Sequence, residues 1–101
     1  MYRDIIHYRL AADVKEEQLL QVAQRIIKDW MTKQNGFISW TIHKNSDGTY
    51  NDIVTWKDQA SAQAAEIDMV NIPDAGEWMG CYEPGSISTQ KASEIMAFTN
   101  T

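Results

Sequence analysis

Residues 37–57 read FISWTIHKNSDGTYNDIVTWK, which is two runs rich in β-branched and aromatic residues on either side of a polar turn, Asn45-Ser46-Asp47-Gly48. Asp-Gly between two such runs is a strong hairpin signal, because both residues tolerate the positive φ of tight hairpin turns. The stretch predicts antiparallel strands over 37–44 and 49–57. A hairpin of this length needs further strands or a helix to cover its apolar face.

The segment before the hairpin predicts one strand and one long helix. Residues 4–10 are β-rich and predict the strand. Apolar residues recur at three- and four-residue spacings from Leu19 to Trp30 and form a single stripe, which is typical of a helix packed on one face. Asp13 is the predicted N-cap, and Asn35-Gly36 is the predicted stop, because glycine tolerates the left-handed conformation that ends helices.

The segment after the hairpin repeats the alternation of helix and strand. Asp58 is the predicted N-cap of an alanine-rich helix over 58–70, a short helical turn is predicted over 77–82, and a last strand over 86–96. The order β-α-β-β-α-β predicts a single α+β domain over 1–101 with the ferredoxin-like arrangement. In that arrangement a four-stranded antiparallel sheet carries both helices on one face, so the other face needs a cover.

Composition and charge exclude several classes of function. Asp and Glu number 14 against 9 Lys and Arg, so the formal net charge is −5, which disfavours binding to nucleic acid or to an anionic membrane surface. No apolar run is long enough to span a bilayer, and the N-terminus lacks the basic and apolar regions of a signal peptide. Cys81 is the only cysteine, so an intrachain disulfide is impossible. These features predict a cytoplasmic protein.

Alternation along the predicted strands sorts their side chains into two faces. A tight turn pairs Ile42 with Ile53, whereas a bulge in the turn would exchange the faces of the second hairpin strand. With the tight turn, the apolar face predicted to pack on the helices comprises Ile6, Tyr8, Leu10, Ile38, Trp40, Ile42 and Ile53. The other face is mixed and comprises His7, Arg9, Phe37, Thr41, His43, Asp52, Val54 and Trp56. A face this aromatic and this polar is typical of either a water-accessible cavity or a wet dimer interface.

Three short motifs resemble those of the dimeric α+β barrel proteins, and most closely those of the antibiotic-biosynthesis-monooxygenase-like group: Ile5–Leu10, Gly36–Ser39, and Asp52–Asp58 followed by an alanine-rich helix. The resemblance covers nearly the whole chain. It implies a homodimer in which two sheets pack face to face, with a pocket between each sheet and its helices. Such a partner would cover the mixed face.

Members of this group include cofactor-free oxygenases that act on polycyclic phenols, haem-degrading enzymes, and proteins with no known reaction. The haem-degrading branch places a His and a second Trp on its second helix. In this chain that helix carries Ala64, Ala65 and Ile67, and no histidine follows His43. The sequence therefore does not fit haem degradation, and no cofactor is predicted.

His7 and His43, the only histidines, are the predicted catalytic bases, because the pKa of histidine is ordinarily near neutrality. Arg9 is predicted to stabilise the anion that deprotonation of a phenol leaves, with an ion pair to an acidic residue such as Asp52 as the alternative. The two histidines and Asp52 also have the residue types of a facial metal triad. Polar residues at a dimer interface are the plainer interpretation, and no metal is predicted.

Phe37, Asp52 and Trp56 are predicted to contact a small aromatic substrate, on which the two aromatic rings would stack. A tryptophan at the end of a strand is also a common packing anchor. The first hypothesis is a cofactor-independent monooxygenase that oxidises a small aromatic or polyketide-type compound. The second is a non-catalytic dimeric module that binds a small ligand or only forms an interface, with a sealed mixed face and no cavity for a ring compound.

Overall fold

The computed structural model describes residues 1–100 as a four-stranded antiparallel sheet with helices packed on one of its faces. The elements, in chain order, are β1 (Tyr2–Tyr8), α1 (Glu16–Asp29), a 3₁₀ turn (Met31–Lys33), β2 (Phe37–Lys44), β3 (Tyr50–Trp56), α2 (Gln59–Asp68), a second 3₁₀ turn (Met69–Asn71), α3 (Ala75–Met79) and β4 (Ser88–Ser93). The predicted ferredoxin-like order is confirmed, with α3 as the short added helix. No helix among these residues is long and apolar enough to cross a membrane.

The starts of the two long helices differ in how they are capped. Asp58 caps α2 as predicted, and its Oδ1 accepts a hydrogen bond from the Ser61 backbone N–H at 2.8 Å. Asp13 does not cap α1: it lies in a turn, and Lys15 occupies the N-cap position without a side-chain capping bond. Two glutamates in the first turn of α1 supply the negative charge that favours a helix N-terminus instead.

The connection between α1 and β2 also differs from the prediction. α1 ends at Asp29, and Gly36 takes a left-handed φ of +78° immediately before β2. A Cβ at this position would overlap the side chain of Ser61 in α2. Gly36 therefore allows the start of β2 to pack closely on α2, rather than ending α1.

The sheet has the strand order β2-β3-β1-β4, and the β2–β3 register differs from the predicted one by one residue. Asp52 lies opposite Ile42. Because side chains alternate across a strand, a slip of one residue exchanges its two faces. The predicted faces of β3 are therefore wrong: Asp52, Val54 and Trp56 face the helices, and Ile53 faces away.

The cause of this slip is a turn longer than a tight two-residue hairpin turn. The Asn45 N–H donates to the Thr49 carbonyl at 2.8 Å, and the Gly48 N–H donates to the Asn45 carbonyl at 3.0 Å. The Asp47 side chain accepts hydrogen bonds from the backbone N–H and the hydroxyl of Thr49, at 3.0 and 2.6 Å. Gly48, with a φ of +85°, provides the left-handed residue that this turn requires.

A second irregularity lies at the start of β2, which is an edge strand. The register with β3 shifts between Phe37 and Ser39, which is a β-bulge. Ile38, within the bulge, is 46% exposed rather than packed on the helices as predicted. Phe37 packs against the core instead of the mixed face, with its ring edge-to-face on Trp56 at 5.8 Å between centroids.

The core lies between the helices and the inner face of the sheet, which we define as the face towards the helices. α1 contributes the predicted apolar stripe, including Leu19, Val22 and Ile26. α2 contributes Ala62 and Ala65, whose small side chains let this helix approach the sheet. The alanine-rich pattern of α2 therefore has a packing role.

No helix covers the outer face of the sheet in the single chain, although Thr55 of β3 is buried there. His7, Thr41 and His43 are exposed there, and Ile5 and Ile53 are half-buried. The predicted positions of His7, Thr41 and His43 on this face are confirmed. This face is mostly polar, with a few apolar side chains that a partner could cover.

Candidate functional site

A cavity of about 340 Å³ lies between the inner face of the sheet and the three helices. It is lined by all four tryptophans of the chain: Trp40 from β2, Trp56 from β3, Trp30 from the end of α1, and Trp78 from α3. Aromatic and apolar walls with a few polar groups are typical of sites that bind small molecules. The inner face is therefore the candidate site, and the outer face is not.

The indole N–H of each tryptophan is held in a hydrogen bond, which fixes the orientation of the ring. The acceptors are Asp52 for Trp40 (3.1 Å), Asp4 for Trp56 (3.3 Å), Asp68 for Trp30 (2.8 Å) and Tyr82 for Trp78 (2.6 Å). A tryptophan whose polar edge is satisfied presents apolar ring surface to its other neighbours. The cavity therefore combines ordered ring surface with carboxylates that lie beside the rings.

Asp52 is a buried carboxylate, only 2% exposed, at the wall of the cavity. Its Oδ1 accepts a hydrogen bond from the Tyr8 hydroxyl at 2.7 Å, and its Oδ2 accepts one from Trp40 Nε1. Burial raises the pKa of the Asp52 carboxyl, and the two hydrogen bonds oppose this shift. A carboxylate with a raised pKa in a cavity has the properties of a general base.

Tyr8 connects this carboxylate to the aromatic core. Burial and the neighbouring charge of Asp52 raise the pKa of the Tyr8 hydroxyl well above its ordinary value, so Tyr8 stays a hydrogen-bond donor. Its ring packs edge-to-face on Tyr82 at 4.6 Å between centroids. Tyr8 therefore holds Asp52 in place through both a hydrogen bond and packing.

Asp4 is a second carboxylate at the cavity, and one of its oxygens has no hydrogen bond. Oδ2 accepts from Trp56 Nε1, whereas Oδ1 is buried without a partner among residues 1–100. Lys91 Nζ lies 3.8 Å from this Oδ1 but 3.0 Å from Glu66 Oε2, so the lysine pairs with the glutamate. Burial raises the pKa of Asp4, and the Lys91 charge and the Trp56 hydrogen bond oppose this shift.

Three of the six predicted site residues lie at the cavity or directly against it. Asp52 and Trp56 line it, and Phe37 packs on the Trp56 ring. The longer hairpin turn moves β3 by one residue relative to β2 and so places Asp52 and Trp56 on the inner face, and the β-bulge at the start of β2 brings Phe37 against Trp56. The sequence pattern alone had placed these three residues on the opposite face.

The two predicted histidine bases lie away from the cavity. His7 Nδ1 is 2.7 Å from Asn51 Oδ1, and His43 Nε2 is 2.9 Å from Thr41 Oγ1, both at exposed positions. Because Asp52 faces the helices, the three residues considered for a metal triad are not brought together. Within the described part of the chain, no group of three or more His, Cys, Asp or Glu side chains is placed to hold a metal ion.

Arg9 lies beyond the end of β1 and is not part of the cavity. Its Nε is 4.0 Å from Glu83 Oε2, and both side chains are largely exposed. The arginine therefore pairs with Glu83 and not with Asp52.

Sequence reasoning missed Asp4 and Lys91 and assigned Trp40 only to the core. Alternation did carry a signal for Asp4, because it stands two residues before Ile6 and so shares the inner face with it. Lys91 lies opposite Asp4 in the β1–β4 register. No local pattern could have paired those two residues, since they come from the two ends of the chain.

No protein-family model matches this chain, and no curated protein is similar to it in sequence. Solved structures match it over nearly its whole length. The cofactor-independent oxygenase SnoaB from Streptomyces nogalater gives a TM-score of 0.77 at 14% identity, covering 98% of this chain and 97% of that one. The chain has the antibiotic-biosynthesis-monooxygenase fold.

Two further structures share this fold. The monooxygenase from the gene ActVA-Orf6 of Streptomyces coelicolor, solved with the ligand nanaomycin D, gives a TM-score of 0.76 at 13% identity over 99% of this chain and 92% of that one. Rv0793 from Mycobacterium tuberculosis gives 0.71 at 8% identity over 97% and 98%. At these identities the likeness is one of fold, and it confirms the fold of the single chain that the sequence motifs implied.

Proposed function

We propose that this chain is a monooxygenase-like enzyme that oxidises a small aromatic or polyketide-type compound with O₂, without a cofactor, inside the cavity. The observation that carries the proposal is a cavity lined by four tryptophans and a buried carboxylate, Asp52. SnoaB and the ActVA-Orf6 protein, which share the fold, are a cofactor-independent oxygenase and a monooxygenase. Their activities favour an oxygenase over other reactions in such a cavity.

The size of the cavity favours a compact ligand. Ligand pockets range from about 300 to 1,000 Å³, and a volume of about 340 Å³ is near the lower end of this range. A compound of roughly two or three fused rings suits such a pocket. A cavity of this size argues against the sealed form of the non-catalytic alternative, which predicted no room for a ring compound.

Asp52 is the base in the proposed reaction. It takes the proton from the hydroxyl of a bound phenol, and the electron-rich phenolate forms a C–O bond to O₂ at its para carbon, which reduces the oxygen to a peroxide. Asp52 returns its proton to this peroxide. Loss of the ring hydrogen and cleavage of the O–O bond then release water, so phenol and O₂ give quinone and water.

The remaining predicted site residues divide by their position. Trp56 would form a wall against the aromatic rings, and Phe37 would hold Trp56 in its orientation. His7, His43 and Arg9 take no part in the proton transfer proposed here, because they lie outside the cavity. The original hypothesis that the histidines are the bases is tested in the same experiment.

The test is oxygen uptake by the purified protein with anthrone, whose enol form is a tricyclic phenol. Asp52→Asn should lower the rate by about 100-fold or more, because the amide keeps the size and an acceptor oxygen but cannot take the proton. The matched comparison is the His7→Ala, His43→Ala double variant, which should keep the rate.

Two results would count against the proposal. Loss of uptake in the double variant, with full activity in Asp52→Asn, would return the role of base to the histidines. Uptake by the wild-type protein no faster than the spontaneous reaction would reject oxidation of phenols.

We further propose that the protein is a cytoplasmic homodimer joined through the outer face of the sheet. The half-buried Ile5 and Ile53 on that face would be covered by the same face of a second copy. The free thiol of Cys81, which is buried, is compatible with a reducing compartment. In this assembly His7 and His43 would lie at the interface between the two sheets.

A further inference from the structure

We propose that the cavity binds an aromatic ligand that carries a protonated amine, and that Asp4 is the residue that binds the ammonium group. The inference rests on the proposed function, because the ammonium is a second functional group on the same substrate, beside the phenol hydroxyl. The binding itself does not depend on oxidation, so the two can fail separately.

The charged side chains that line the cavity are mostly acidic. They are Asp4, Asp52, Glu66 and Lys91, so three carboxylates face one ammonium. Lys91 is already paired with Glu66 at 3.0 Å. The hydrogen bonds to the two aspartates come from neutral donors, and Lys91 Nζ lies 3.8 Å from Asp4 Oδ1. Charges interact more strongly in these surroundings than in water. A cationic ligand fits this balance, and an anionic ligand does not.

Asp4 has free acceptor capacity at one defined atom. Oδ1 is buried and without a hydrogen bond, and the ammonium nitrogen of Lys91 is 3.8 Å away, beyond hydrogen-bonding distance. A buried acceptor left without a donor is costly, so a ligand group that donates to Oδ1 recovers that cost. An ammonium does this better than a hydroxyl, because it also supplies the opposite charge.

The aromatic wall and this carboxylate are joined by the hydrogen bond from Trp56 to Asp4 Oδ2. A ligand whose rings pack on the tryptophans would bring an amine on a short linker to this carboxylate, and the amine would reach the shielded Oδ1 as the Lys91 side chain, 3.8 Å away, moves aside. Tryptophan is also the side chain whose ring attracts cations most strongly. The tryptophan rings and the Asp4 carboxylate therefore both favour an aromatic ligand that carries a cation.

An ammonium on the ligand would also supply a positive charge that the proposed oxidation needs. Arg9, the residue predicted to stabilise the phenolate, lies outside the cavity, and Lys91 is held by Glu66. A nearby cation favours the ionised form of a phenol. A substrate that carries its own cation therefore makes deprotonation by Asp52 easier.

Isothermal titration calorimetry with four probes that share one ring system tests the preference for a cation. The probes are 1-(aminomethyl)naphthalene, 1-naphthalenemethanol, 1-methylnaphthalene and 1-naphthoate. The amine should bind at least about tenfold more tightly than the alcohol or the hydrocarbon, and the anionic naphthoate most weakly. Binding of naphthoate as tight as that of the amine overturns the inference, and so does failure of all four probes to bind.

Substitutions of Asp4 and of Lys91 test the role of Asp4. Asp4→Asn should weaken binding of the amine by about tenfold and leave 1-methylnaphthalene unaffected. Asp13→Asn, which removes the same charge from an exposed turn, is the matched control. Lys91→Met should strengthen amine binding severalfold, because it removes the ammonium that competes with the ligand.

The Lys91→Met variant separates binding from folding, since misfolding does not increase affinity. Unchanged amine affinity in both Asp4→Asn and Lys91→Met overturns the role of Asp4. Selective amine binding without any oxygen uptake supports this inference and rejects the oxidation step.

Discussion

The inner and outer faces of the sheet are built from the same strands, and β3 shows how different they are. Asp52, Val54 and Trp56 are buried on the inner face, whereas on the outer face Asn51 and Ile53 are half-buried and Thr55 is buried. The inner face carries the carboxylates and tryptophans of the cavity, and the outer face carries both histidines. Position across the sheet therefore decides which groups can act together, more than residue type does.

The largest difference between the two faces is expected in stability. Trp56→Ala should lower the free energy of unfolding by about 3–5 kcal/mol, because it empties a buried site and removes the contact with Phe37. His7→Ala on the outer face should change it by no more than about 0.5 kcal/mol. Urea unfolding followed by circular dichroism measures both. Equal losses would remove the distinction between the faces.

A loss of comparable size is expected when the inner-face carboxylate is removed. Asp52→Ala leaves the Tyr8 hydroxyl and the Trp40 indole N–H without acceptors, at a cost of about 1–3 kcal/mol for each donor. Asn51→Ala, one residue away, loses an exposed contact with His7 and a long 3.5 Å contact with Asn45, and it is the control. A fall in melting temperature for Asn51→Ala as large as that for Asp52→Ala would show that Asp52 is not an organising group.

On the outer face, a substitution should affect association more than folding. Ile53→Lys places a charge in the proposed dimer interface and should weaken self-association by at least about tenfold. Light scattering coupled to gel filtration would detect the smaller mass. Ile67→Lys, at a position on α2 that is 77% exposed, should leave the mass unchanged. A wild-type protein that is monomeric at every concentration would contradict this use of the outer face.

The smallest expected effect is a difference in pH dependence between buried and exposed aspartates. Burial raises the pKa of Asp52 in the folded protein, so the folded state binds this proton more tightly than the unfolded state. As the pH falls from neutrality through this raised pKa towards the ordinary carboxyl value of about 4, the wild type should gain stability relative to Asp52→Asn.

Asp58 is the opposite case, because hydrogen bonds from Ser61 lower its pKa. Stability relative to Asp58→Asn should therefore decline as the pH falls from the ordinary carboxyl range through this lowered pKa. Unfolding curves of the wild type and both variants across the acid range measure the two slopes. Slopes of the same sign would contradict the assigned environments.

The sequence was sufficient for the elements, since their signals are local. The apolar stripe of α1, the Asp58 cap and the alternation of β2 after the bulge each depend on neighbouring residues, and all three are confirmed. The predicted faces of Phe37 and Ile38 are wrong, because the bulge interrupts the alternation there. The predicted faces of β3 are wrong because the prediction assumed a two-residue turn between β2 and β3, and the actual turn is longer. That length depends on hydrogen bonds between Asn45, Asp47 and Thr49 that a dipeptide pattern does not reveal.

The candidate site was harder to predict because its polar groups depend on distant partners. An aspartate in a strand is ordinarily assigned to a solvent-exposed face, since burying a carboxylate is costly unless hydrogen-bond donors surround it. Asp52 is buried because Tyr8 and Trp40, 44 and 12 residues away, supply those donors. Hydrophobic patterning carries no information on such pairs.

Neither edge of the sheet offers a regular template to another chain. An edge strand exposes unpaired backbone groups that can recruit further strands, and natural proteins interrupt or shorten such edges. At β2 the bulge between Phe37 and Ser39 interrupts the edge, and at the other edge β4 has only six residues, mostly exposed and polar. Open-ended growth into fibrils is therefore disfavoured by the backbone itself, even where the chain is free to meet many copies of itself.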